Sequence, residues 1–133
     1  KVNISLNWLK NLRPDYEPPN RKRLDNQLLY KVNEEVIQAI KNDLTDSCLT
    51  LVQDGWTNVS NDPMIAHCLH NGHQSFLISS VHSGSEDRNA KYCTELALEA
   101  ITFIKNTFKK DVFAVCTDNE NKMVEMKELL KEK

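Results

Sequence analysis

CLTLVQDGWT, Cys48 to Thr57, is a short run of apolar and β-branched residues that ends on an acid and a glycine. Such a run bounded by turn residues predicts a strand in the middle of a sheet. Asp54 is then expected at the strand's C-terminal end, where α/β folds place their chemistry. A second run, DVFAVCTD from Asp111 to Asp118, also closes on an aspartate. Two buried strands that each deliver an acid at the same end make a two-carboxylate site.

Around this pair the chain reads as alternating elements. The motif RPDYEPPNRKR, Arg13 to Arg23, has three prolines, Pro14, Pro18 and Pro19, which forbid helix there and predict an extended connector after a short helix within residues 1–12. From Leu24 the spacing Leu24, Leu28, Val32, Val36, Ile40, Leu44 predicts an amphipathic helix over 24–44. Strands follow near 48–54, 64–70 and 74–82, with Asn71-Gly72 as a hairpin turn. Strict alternation on the third strand sets Phe76, Ile78 and Ser80 against Leu77, Ser79 and Val81. A helix over 89–108 with Asn89 as N-cap, a strand over 111–118 and a helix over 121–133 complete the order β-β-β-α-β-α. The crossover helix makes the fourth strand parallel to the third. The expected division is residues 1–23, helix and proline-rich connector, and 24–133, an α/β unit.

Composition limits what this unit does. The chain has 133 residues, 40% hydrophobic and 27% charged, with a net charge of −2. One domain of this size buries a real core. The slight negative charge excludes nucleic-acid binding by bulk charge alone, so any DNA contact is local. No apolar run approaches the roughly 20 residues that span a bilayer, so no membrane partner is expected. The four cysteines (Cys48, Cys68, Cys93, Cys116) are widely spaced in apolar segments and read as buried free thiols of a reducing compartment. The three glycines form neither a P-loop nor a dinucleotide fingerprint. The cluster HCLHNGH, His67 to His73, is a poor zinc site, because strand alternation turns His67 away from Cys68 and His70. The first residue is not Met and the sequence stops on Lys-Glu-Lys, so a piece of a longer protein is expected.

Three antiparallel strands, a crossover helix and a parallel fourth strand, with acids ending the first and fourth, is a ribonuclease-H-like topology with N-terminal helices. The segments LRPDYEPPNRKRLDNQLL (residues 12–29), LVQDGWTNVSNDP (51–63), QSFLISSVHSGSEDRNAKY (74–92) and VFAVCTDNENKM (112–123) resemble, more closely, the hAT-superfamily transposases and transposon-derived proteins related to them. That resemblance implies an incomplete catalytic domain of the DDE type, with Asp54 and Asp118 as its first two acids. The third acid, a glutamate, lies outside this sequence, since Glu120 and Glu125 follow Asp118 too soon. The complete parent would cut and join DNA ends with Mg²⁺ or Mn²⁺ held by these carboxylates, and would assemble into oligomers through regions absent here. The isolated chain is expected to be inactive. Gly55 would allow close approach of backbone or DNA, Trp56 would pack under the site or stack on a base, and Arg21, Lys22 and Arg23 would meet DNA phosphates. The alternative is a domesticated, non-catalytic nuclear module of the same fold that binds DNA or protein. A blander alternative also stands: Asp54-Gly55 suits a simple strand-ending turn, and Asp118-Asn119 suits a helix cap.

Overall fold

The computed structural model describes residues 9, 11–44, 48–84, 89–118 and 120–131. The short helix expected within residues 1–12 falls mostly outside these. The chain forms two compact units, Lys1–Asn42 and Asp43–Lys133.

In the first unit the connector ends earlier than expected. Asn20 caps a helical turn, Arg21–Arg23, its side-chain oxygen accepting from the Arg23 N–H at 2.9 Å. A π-helical stretch, Leu24–Leu28, follows and leads into α1 (Leu29–Asp43). The i, i+4 spacing that defined the helix in sequence is therefore met partly by wider π turns. Leu24, Leu29, Val32 and Val36 are exposed, whereas Ile40 and Leu44 at the far end of the stripe are buried.

The second unit is a four-stranded sheet covered by two helices. The strands are β1 (Leu49–Thr57), β2 (Pro63–His70), β3 (Ser75–His82) and β4 (Val112–Cys116), in spatial order β3-β2-β1-β4. β1–β2 and β2–β3 are antiparallel, and β1–β4 is parallel. The helices are α2 (Ala90–Phe108) and α3 (Asn121–Lys131). This mixed sheet, three antiparallel strands and one parallel, is consistent with a ribonuclease-H-like fold fragment. β4 shares its direction with β3 but lies across the sheet from it, beside β1.

The core follows from periodicity. β1 buries Leu49, Leu51 and Gln53; β2 buries Leu69 opposite Leu51, His67 opposite Gln53, and Ile65 opposite Gly55. α2 lays Cys93, Leu96, Ala97, Ala100, Ile104 and Phe108 over the sheet at helical spacing, and α3 adds Met123 and Met126. Each large side chain so buried stabilises the fold by about 1.5–3 kcal/mol. Asn89 starts α2 by accepting from the Tyr92 N–H at 2.9 Å. In the β2–β3 turn, Gly72 takes a φ of +94° that a side chain would oppose. Asn71 Oδ1 there accepts from the N–H groups of His73 and Gln74.

Two expectations about side-chain placement are corrected. The β2–β3 register shifts between His67 and Cys68, so Ser79 faces His67 while Leu77 faces Cys68. Ile78 is the extra residue of this bulge, and it breaks the alternation. Phe76, opposite Leu69, shares a face with Ser79 and Val81, and Leu77 falls on the other face, 64% exposed. Of the cysteines, Cys93 is buried and Cys68 half-buried, whereas Cys48 and Cys116 are exposed.

Candidate functional site

Asp54 is the sixth of nine residues in β1, not its last. The strand runs on to Thr57 because β2 keeps pairing with it, Asp54 opposite Ala66 and Trp56 opposite Met64. β4 in turn stops at Cys116, two residues short of Asp118. The parallel ladder ends at Val52 opposite Cys116, an offset of 116 − 52 = 64 residues. The two acids are separated by the same number, 118 − 54 = 64. Both acids share the ladder's offset, but both lie beyond its last pair. The sheet splits before the acids: after Val52, β1 continues its pairing with β2, whereas β4 ends at Cys116.

Asp54 alternates with Val52 and Thr50 on the sheet face opposite the Leu49–Leu51–Gln53 row. Its carboxylate is exposed, and Oδ1 accepts from the Gly55 N–H at 2.9 Å. Asp118 is also exposed. It lines a recess of about 200 Å³ together with Trp56, Cys93, Glu120, Lys122 and Met123. Asp54 is not among the lining residues. The recess thus gathers Asp118, without Asp54, with Trp56 and a Glu120–Lys122 ion pair. Among the described residues, no group of three or more His, Cys, Asp or Glu side chains is gathered closely enough to hold a metal ion.

A family model described as a domain of unknown function (DUF659) matches residues 19–133. The chain belongs to the DUF659 family. A search of curated proteins gives no match.

The other residues singled out in this DUF659 chain are placed as follows. Trp56 is 42% exposed at the rim of the recess. A Cβ built on Gly55 would meet only the Met64 carbonyl oxygen, at 3.6 Å, so the chain's own backbone does not require glycine there. Arg21, Lys22 and Arg23 are exposed and belong to the first unit, with Asp54 and Asp118 in the second. Of the HCLHNGH cluster, His70 Nδ1 accepts from the Gly72 N–H, and His73 is exposed.

His67 is held differently, in a way its sequence neighbours do not reveal. It is 1% exposed, with Nε2 2.9 Å from Gln53 Oε1 and Nδ1 2.9 Å from Ser79 Oγ. With a carbonyl oxygen facing it, Nε2 carries the proton and donates, and Nδ1 accepts from the serine hydroxyl. Burial lowers the His67 pKa below its ordinary value, which keeps the ring neutral. The only signal in the sequence was polarity at inward positions of three successive strands.

Proposed function

We infer that this DUF659 chain contributes two carboxylates, Asp54 and Asp118, to a divalent-metal centre that cuts and joins DNA phosphodiesters, in keeping with its resemblance to hAT transposases. The observation that supports this reading is the β1–β4 register, whose 64-residue offset both acids share two residues past its last pair. The donor set fits a hard cation. Mg²⁺ and Mn²⁺ take carboxylate oxygens, and Mg²⁺ keeps several waters, so one or two protein carboxylates suffice as a partial site. Asp54 would offer Oδ2, since Oδ1 is used by its own backbone, and Asp118 would bind from beyond β4. A pair of such ions held there would supply stabilisation of the attacking and leaving oxygens of the phosphodiester.

The chain's own groups would do the rest by positioning. Trp56 presents an aromatic surface on which a base can stack, a contact worth about 1–3 kcal/mol per base. Arg21, Lys22 and Arg23 offer three exposed cations to phosphates. A DNA substrate implies work in the nucleus. The second reading, a non-catalytic module that binds DNA or protein, is favoured by one observation: the recess beside Asp118 does not include Asp54.

Paramagnetic broadening separates the two. Substoichiometric Mn²⁺ added to ¹⁵N-labelled protein should first broaden the amides of residues 54–55 and 117–118, and Asp54→Asn should abolish that selectivity. Uniform broadening, or none, would favour the non-catalytic module.

A further inference from the structure

The row that faces α2 is apolar along β1 and β2 except for one chain of side chains, Gln53–His67–Ser79, that crosses β1, β2 and β3. Its cost is visible. Gln53 is 1% exposed, and its Nε2 has no hydrogen-bond partner among the described residues. A buried polar side chain that is only partly hydrogen-bonded is a poor contributor to a core. Apolar residues of similar volume would avoid that cost, as replacements of buried polar groups often do. A chain that exists only to hold the core together has no need of these three residues.

Its location supplies the reason. β4 supports β1 only as far as Val52. From Gln53 onwards β1 has lost its parallel neighbour and is held by β2 alone. Gln53 is therefore the first residue past the split, and the one directly before Asp54. Its side chain is tied through His67 to the next strand and through Ser79 to the one beyond. We propose that the Gln53–His67–Ser79 chain is a positioning device for Asp54, fixing the β1 backbone where the sheet no longer does so. This inference rests on the metal-site reading above. Asp54 touches the ion; Gln53, His67 and Ser79 act through the backbone and are positioning residues. Ligating groups need to be held within about 0.5 Å of their working geometry, and outer supports of metal ligands are worth about 10–100-fold in affinity.

The test is calorimetric titration of Mn²⁺ into the full chain and three variants, with thermal melting of each. Gln53→Met keeps the side-chain volume but removes the hydrogen bond to His67; Gln53→Glu keeps an acceptor for Nε2; Asp54→Asn removes the ligand. The expected pattern is a melting temperature for Gln53→Met equal to or above wild type, Mn²⁺ binding at least tenfold weaker, and near-wild-type binding by Gln53→Glu. A merely structural role would move the melting temperature and leave affinity alone. Should Gln53→Met unfold, Ser79→Ala serves instead, because it removes only the far end of the chain and is expected to weaken Mn²⁺ binding several-fold in a folded protein. Wild-type affinity in a folded Gln53→Met or Ser79→Ala overturns the positioning role while leaving the metal site in place. No Mn²⁺ binding by the wild type, or undiminished binding by Asp54→Asn, removes the metal-site reading itself and the inference with it.

Discussion

At the scale of single residues, position on the surface or in the core decides what a substitution does. Asp54 and Asp118 are exposed. Asparagine at either position keeps a side-chain oxygen, so stability should stay within about 0.5 kcal/mol of wild type in urea denaturation. Loss of several kcal/mol would make them structural cap or turn residues. His67 behaves in the opposite way. Its folded pKa is lowered by burial below the ordinary 6.5, so below that pH the unfolded chain binds a proton that the native ring resists. Its contribution to stability is complete above about pH 6.5 and is lost as pH falls from there towards the folded value. Melting curves across pH 7.5 to 5 should show this fall, and it should flatten in His67→Leu relative to wild type. Both acids were legible in sequence because each follows an apolar run. The His67 chain was not, because naming Gln53 and Ser79 as partners requires the register of three strands, and one of those registers contains a bulge.

At the scale of elements, the sequence was most informative where one face is buried. α2 reads cleanly because Cys93, Leu96, Ala100, Ile104 and Phe108 all reach the core and Asn89 caps its start. Removing that cap by Asn89→Ala should cost about 1 kcal/mol. Leu51→Ala, which empties a fully buried position in β1, should cost about 2–5 kcal/mol. Both are measurable as shifts in denaturant midpoint at constant slope. Strand ends were less legible. Pairing partners, not local composition, set them: β2 prolongs β1 to Thr57 although residues 54–57 are exposed. The helix before β1 shows the reverse failure. Its periodic spacing predicts an amphipathic helix, yet Leu24, Leu29, Val32 and Val36 are exposed, because periodicity records a capacity to pack and not what it packs against.

At the scale of the whole molecule, the sheet order β3-β2-β1-β4 converts sequence separation into proximity. It places β4 beside β1, across the sheet from β3, so that Val52 and Cys116, 64 residues apart, are neighbours. No helix among the described residues is long and apolar enough to cross a membrane. A DNA partner, if bound through Arg21, Lys22 and Arg23, would add a salt dependence with a slope of about 0.9 per phosphate contact. Replacing all three by alanine should therefore reduce the slope of log K against log salt by no more than about 2.7. A larger change would point to phosphate contacts elsewhere.

The central claim is that Asp54 and Asp118 serve one metal ion together. A double-mutant cycle read by Mn²⁺ calorimetry, with Asp54→Asn, Asp118→Asn and both, tests it most directly. The account predicts that either single substitution removes most of the affinity and that the double variant loses little more. Independent losses that add, or binding unchanged by either substitution, would contradict it.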